Sequence, residues 1–245
     1  MNPLFSENAE VKGVNLVKVR GGQGPALVFI NGFLKEGSWG LSEWERGVSE
    51  KYPSNPCYLV DWESSDLYQI LKEIADVPSD LLKDPLALLA RSALTVAGKW
   101  YLSSVKAEKS GVLLADLIES AREPDGFILM GHSLGARMIY HLLQELSKRE
   151  LMLVEEAFLL GGAVNRKETK GWKTAVKAVR GRVVNCYSDN DYILKLLYRL
   201  ATLNPPAGLG PIELPHEKIV NMNVTPIVNG HMDYKRKLSR ILSIL

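Results

Sequence analysis

A Gly-x-Ser-x-Gly run, Gly131-His132-Ser133-Leu134-Gly135, stands between a short apolar run, Phe127 to Met130, and a helical pattern, Ala136 to Leu146. No other stretch limits the fold so tightly. A chain that passes from strand to helix within about one residue forces the residue at the turn into a strained backbone conformation. The flanking positions then press on the neighbouring strand or helix, where only hydrogen is tolerated. Such a turn lifts the Ser133 hydroxyl above the edge of a sheet. It also aims the N-terminus of the next helix at that hydroxyl, a place that favours developing negative charge. The context predicts a nucleophile elbow, with Ser133 as nucleophile, Gly131 and Gly135 as the two permissive positions, and the His132 ring packed beside it. The plainer reading makes Ser133 a helix cap.

Around the elbow the pattern alternates. Strands are expected at Val14 to Val19 (an edge), Ala26 to Ile30, Cys57 to Val60, Phe127 to Met130, Glu156 to Leu160, Arg182 to Tyr187 and Ile219 to Val224. Continuous apolar runs such as Ala26 to Ile30 suit parallel strands buried on both faces. Helices are expected at Trp39 to Ser49, Gly111 to Ala121, Trp172 to Val179 and Asp233 to Leu245. The alternation implies an α/β fold, a mostly parallel sheet with helices on both faces, forming one domain over residues 1–245. Leu203 to Pro211 reads as a surface loop long enough to rim a pocket. The segment from Leu67 to Leu102 fits this scheme least. Its Leu- and Ala-rich part is interrupted by Lys83, Asp84, Pro85, Arg91 and Lys99, so a transmembrane helix is not expected. A helical insertion over about residues 66–104, covering the mouth of the site, fits better, and ordinary core-facing helices are the plainer alternative. Such lids present apolar surface to a greasy substrate or to a membrane face.

The remaining site residues follow from chain order, which for an elbow of this type runs Ser, acid, His. Asn31-Gly32-Phe33-Leu34 follows the strand whose next loop supplies one oxyanion-hole N–H, and the residue after the serine supplies the other. The candidates are the N–H groups of Phe33, Leu34 and Leu134, with Gly32 allowing the backbone to come close. The bland alternative is an Asn-Gly turn. Ser188-Asp189-Asn190-Asp191-Tyr192 follows a late strand, where the acid belongs. Asp191, about three residues beyond the strand and at the start of a helix, is favoured. Asp189 is then a turn former or cap and stands as the alternative acid. Asp61 also ends a strand but precedes the serine. Of four histidines, His231 follows the last strand and is the expected base. His216 lies before that strand, His141 points away along the elbow helix, and His132 belongs to the elbow.

Bulk properties exclude several classes. A net charge of +2 with no basic run interleaved with aromatics argues against a nucleic-acid partner. Two cysteines, Cys57 and Cys186, fall in expected buried strands and read as core thiols, and four scattered histidines make no zinc motif. No metal or cofactor is expected. The N-terminal stretch lacks a basic region followed by an apolar core, so a cytoplasmic enzyme is the expectation.

Beyond the general α/β-hydrolase pattern, the chain resembles the hydrolases catalogued as domain of unknown function 726, which include a eukaryotic transmembrane and coiled-coil domain protein. The matching stretches are Ile30 to Leu34, Trp62 to Ser64, Gly111 to Ala115, Gly131 to Tyr140, Leu160 to Ala163, Val184 to Asp191 with Leu194 and Tyr198, and Gly230-His231. The resemblance places the aspartate of a Tyr-Ser-x-x-Asp pattern on Asp191. The departure lies in Pro78 to Ser104, charged and interrupted here where eukaryotic relatives carry membrane-associated helices. Residues and resemblance together lead to the expectation of a lipase- or esterase-like serine hydrolase cleaving a carboxylic ester, a small-molecule acyl ester or lipid with an apolar acyl chain, through a Ser133-His231-Asp191 triad, with transient membrane-surface contact through the insertion. Two other readings keep the same residues: acyl transfer or thioester cleavage by the same triad, and a non-catalytic binding or scaffold protein on the hydrolase fold.

Overall fold

Strands buried on both faces cannot alternate polar and apolar residues, so the unbroken apolar runs should lie at the middle of the sheet. A computed structural model, which describes residues 8–11, 13–32, 37–62, 85–201 and 204–245, places them there. Its strands are β1 (Asn8–Val11), β2 (Val14–Arg20), β3 (Ala26–Ile30), β4 (Cys57–Trp62), β5 (Phe127–His132), β6 (Val154–Leu160), β7 (Val183–Tyr187) and β8 (Ile219–Asn223). They form one sheet in the order β1-β2-β4-β3-β5-β6-β7-β8. Only β1–β2 and β2–β4 pair antiparallel, and the pairs from β4 through β8 are parallel. Every residue of β3 and β5 is buried, whereas β8 at the edge is half-exposed. This is the α/β-hydrolase fold. Contrary to expectation, β2 is not an edge strand. The four residues of β1 cover it, a stretch too short and too polar to announce itself.

The helices are α1 (Gly37–Val48), α2 (Pro85–Ala121), α3 (Leu134–Lys148), α4 (Thr169–Ala175), α5 (Tyr192–Ala201) and α6 (Leu238–Ser243). One apolar core gathers side chains of α2, α3, α4 and α5 on one face of the sheet, and a second gathers α1 and α6 on the other. Trp44 of α1 anchors the second core, stacked on Phe29 with ring centroids 5.3 Å apart. The last helix is shorter than expected, with turns over residues 233–237 before α6. The stretch expected as a surface loop from Leu203 is partly internal. Residues 202 and 203 lie outside the described residues, but Ala207–Leu209 form a 3-10 turn in which Ala207 and Gly208 are buried. The Gly208 N–H donates to Gly162 O, and its carbonyl accepts from Ser188 N, strapping the end of β6 to the end of β7.

Residues 66–84 of the expected insertion lie outside the described residues. Its later part differs from expectation: residues 85–104 and the helix expected at Gly111 to Ala121 are one continuous α2. Gly111 begins nothing. It sits inside α2 where the helix crosses α3, and a β-carbon there would come 2.5 Å from Met138 O and 3.0 Å from His141 Cβ. Arg137 Nε donates to Ser104 O at 3.2 Å, and Arg149 pairs with Asp116 and Glu119. The two helices therefore run parallel, with residue 101 of α2 near the start of α3. Residues 85–100, about 24 Å at 1.5 Å per residue, run on past the elbow end of α3.

Candidate active site

Ser133 has φ 56° and ψ −114°, a backbone region that a residue with a side chain rarely occupies. The reason is the abrupt turn between β5 and α3. A β-carbon at Gly131 would lie 2.6 Å from the Gly135 carbonyl carbon, and one at Gly135 would lie 2.8 Å from the carbonyl carbon of Ile30. The strained residue is held from both sides: Ser133 N donates to Leu160 O at 2.9 Å, and Ser133 O accepts from Ala163 N at 3.0 Å. Ser133 is fully buried, and among the described residues its Oγ has no hydrogen-bond partner. It stands at the N-terminus of the fifteen-residue α3, where helix N–H groups lack intrahelical acceptors.

The acid and base come from the loops after β7 and β8, and these loops are sewn together. Ser188 Oγ donates to Val228 O at 3.1 Å, and Asn190 Nδ2 donates to Thr225 O at 3.2 Å and Val228 O at 3.1 Å. Asp191 opens α5, its Oδ1 accepting from Leu194 N at 2.9 Å. Its other oxygen, Oδ2, lies 2.6 Å from His231 Nδ1, with both side chains fully buried. A carboxylate can only accept, so Nδ1 carries the hydrogen, and in the neutral ring Nε2 is the lone-pair nitrogen. Asp189 is exposed, its N–H donating to Thr225 Oγ1 at 3.0 Å and its carbonyl meeting Lys195. It shapes the turn, and the structure brings Asp191 to the imidazole.

His132 does more than pack. Its Nε2 donates to the backbone carbonyl of His231 at 2.7 Å, and the two rings lie 4.7 Å apart. Burial, then His231 and Lys235 nearby, hold its pKa well below the usual imidazole range, so His132 is neutral. The elbow thus grips the base-bearing loop directly. His216 instead accepts from Lys218 N, and His141 lies on α3 beside Glu108, both outside this cluster.

On the oxyanion side, Gly32 crosses the elbow so closely that a β-carbon would sit 2.6 Å from Ser133 Cβ and 2.9 Å from Leu134 N. Leu134 is the first residue of α3 and is buried. Phe33 and Leu34 lie outside the described residues. The contacts that fix this strand end, of Asn31 with Trp44, Trp62 and Lys235, were not legible in the sequence, where the partners stand 13, 31 and 204 residues apart. Among the described residues no three His, Cys, Asp or Glu side chains converge as metal ligands would.

The family described as "Protein of unknown function (DUF726)" matches residues 55–245. The chain belongs to that family. Its similar relatives include "Uncharacterized membrane protein F35D11.3" of Caenorhabditis elegans, 36% identical over 65% of this chain and 26% of the relative. "Transmembrane and coiled-coil domain-containing protein STS1" of Oryza sativa subsp. japonica is 32% identical over 77% of this chain and 32% of its own length. "Probable lipase MIL1" of Saccharomyces cerevisiae is 35% identical over 64% and 15%. The match therefore spans a third or less of each of these relatives. Among solved structures, carboxylesterase CesB of Bacillus subtilis aligns over 98% of this chain and 92% of its own at 13% identity, with a TM-score of 0.43. The membrane and transmembrane names of family relatives overturn the cytoplasmic placement expected from the sequence. That expectation rested on missing apolar segments. Among the described residues no helix is long and apolar enough to cross a membrane, and this alone does not place the protein.

Proposed function

We propose that the protein is a serine hydrolase that cleaves carboxylic esters with an apolar acyl group, through Ser133, His231 and Asp191. The observation that carries this reading is the 2.6 Å contact of Asp191 Oδ2 with His231 Nδ1, with His231 tied through its carbonyl to the residue preceding a strained Ser133. In the reaction His231 Nε2 takes the Ser133 proton as Oγ attacks the acyl carbonyl. Asp191 holds the imidazole in the productive tautomer and balances its charge when protonated. Leu134 N–H, with those of Phe33 and Leu34, which follow β3 in the sequence, stabilises the oxyanion, each donor contributing about 3 kcal/mol in the transition state. The tetrahedral intermediate expels the alcohol, which leaves with the proton from His231. Water, deprotonated by His231, then hydrolyses the acyl-enzyme and returns the proton to Ser133. No cofactor takes part. An apolar acyl chain is favoured by the "probable lipase" relative, and a membrane surface as the place of action by the membrane names of the others.

Labelling by a fluorophosphonate probe tests the reading, together with a chain-length series of chromogenic acyl esters. The wild type is expected to label and to turn over, and Ser133→Ala and His231→Ala to do neither. A folded wild type that neither labels nor cleaves any ester of the series sinks the reading and leaves a binding protein on a hydrolase fold.

A further inference from the structure

The residue that ends the oxyanion strand is gripped at both of its acceptor groups. Asn31, buried just past β3, accepts through Oδ1 from Trp44 Nε1 at 2.9 Å and from Lys235 Nζ at 3.4 Å. Its backbone carbonyl accepts from Trp62 Nε1 at 2.9 Å. These donors come from α1, from the turn that follows His231, and from the last residue of β4. Two indoles would hold the residue without any charge being buried. Yet Lys235 is 3% exposed, and a buried ammonium is costly unless it is paired. Among the described residues it pairs with Glu43 of α1, Oε2 at 3.5 Å, and the other oxygen of Glu43 meets Arg236 Nε at 3.4 Å.

The placement of this cation is what makes it informative. Lys235 lies four residues after His231, on the same turn, and reaches across to the residue that precedes Gly32. Gly32 is the point where the end of β3 touches the elbow, against Ser133 Cβ and Leu134 N. One side chain therefore links the turn after His231 to the end of β3, one residue before the glycine that presses on the elbow. An error of about 1 Å in such an arrangement is enough to cost about 100-fold in rate.

We infer that Lys235 is a positioning residue that, through Asn31, sets Gly32 at the end of β3 against Ser133 and the Leu134 N–H. The inference rests on the serine-hydrolase reading above. It separates cleanly from a role in stability alone. A stabilising ion pair lowers Tm and leaves the kcat of the folded molecules unchanged. A positioning residue lowers kcat with little change in KM, because the oxyanion donors act when charge develops on the carbonyl oxygen.

The experiment compares full-length wild type, Lys235→Met, Glu43→Gln and a core control, Leu242→Ala in α6. For each, kcat and KM are measured on a short-chain chromogenic ester, with Tm and the Ki of an alkyl trifluoromethyl ketone. That ketone adds to the serine hydroxyl, and its hemiketal oxygen occupies the oxyanion position. Lys235→Met is expected to lower kcat about 10- to 100-fold and to raise Ki in proportion, with KM held within about threefold. Glu43→Gln keeps the ammonium but loosens its anchor, so a smaller shift of both quantities in the same direction is expected. It carries the test if Lys235→Met does not fold. Leu242→Ala is expected to lower Tm without moving kcat or Ki. Variants that fold and retain wild-type kcat and Ki overturn the inference, as does a loss of activity that only tracks Tm in the manner of Leu242→Ala. A wild type that shows no labelling and no turnover overturns the hydrolase reading itself, and this inference with it.

Discussion

Asp191 divides its carboxylate between two tasks, Oδ1 accepting from the Leu194 N–H and Oδ2 facing His231 Nδ1. Asp191→Asn keeps the shape and the first contact if its amide oxygen turns to Leu194. It then presents an N–H₂ group to Nδ1, which must become the acceptor, and Nε2 is left protonated and unable to act as base. The expected result is a fall in kcat of about 1,000- to 10,000-fold with only a small change in Tm. Asp189→Asn, in an exposed turn where the backbone groups of residue 189 make the contacts, is expected to stay within about twofold of wild type. Measuring both variants on one ester decides the assignment: a larger loss for Asp189→Asn would reverse it. That Asp191 is the better placed of the two was legible beforehand from its offset past β7 and its position at the start of a helix. The grip of His132 on the His231 carbonyl was not legible, because the partners are 99 residues apart and a histidine within an elbow motif carries no mark of where its ring points. Asn31 and Lys235, 204 residues apart, escaped for the same reason.

At the scale of elements, the central strands could be read from sequence because burial on both faces removes polar residues from them. Elements defined by contact with a single neighbour could not. The four residues of β1 contain no apolar run, and the expected helix start at Gly111 falls inside α2. In the structure that glycine marks a crossing, which yields a paired prediction. Alanine ordinarily stabilises a helix interior over glycine by about 0.5–1 kcal/mol. Gly98→Ala, with nothing within 4 Å of its β-carbon, should show that gain. Gly111→Ala should instead destabilise by about 2 kcal/mol, since Met138 O and His141 Cβ must give way, a drop in Tm of roughly 5 °C. Equal shifts for the two in thermal melts would refute the crossing. The same interface holds His141, whose Nε2 lies 3.7 Å from Glu108. Burial, then Arg137 and Lys148, lower the pKa of His141 to about 4, so the pair is not an ion pair at neutral pH. The unfolded chain then binds more protons than the folded one between about pH 6.5 and 4. This contribution to stability is complete above about pH 6.5 and is lost as the pH falls through about 4. His141→Gln should therefore show a shallower decline in urea midpoint than wild type over that window, and parallel curves would dismiss the argument.

The whole molecule poses a question of access. Ser133 and Asp191 are 0% exposed and His231 2%, so on the proposed reading an ester would reach the serine only after something moves. Near the same end of the fold, α2 runs on past the start of α3, and large apolar side chains face solvent: Tyr101 at 66%, Leu102 at 58%, and Tyr192, next to Asp191, at 71%. Single exposed apolar residues are ordinary, but three on the helices that begin beside Ser133 and Asp191 suit, on the hydrolase reading, a surface that meets lipid. If the competent state is only a small fraction of the population, the apparent rate of labelling falls by that fraction, and whatever binds the open state restores it. Phospholipid vesicles should then raise the fluorophosphonate labelling rate of wild type by about tenfold or more. A Tyr101→Ser, Leu102→Ser, Tyr192→Ser triple variant should lose that acceleration while labelling at the unaided wild-type rate in plain buffer. Acceleration that survives in the triple variant would move the lipid contact elsewhere on the molecule. The absence of any acceleration in wild type would instead mean that the site opens without an interface, with a freely dissolved ester as the substrate to look for.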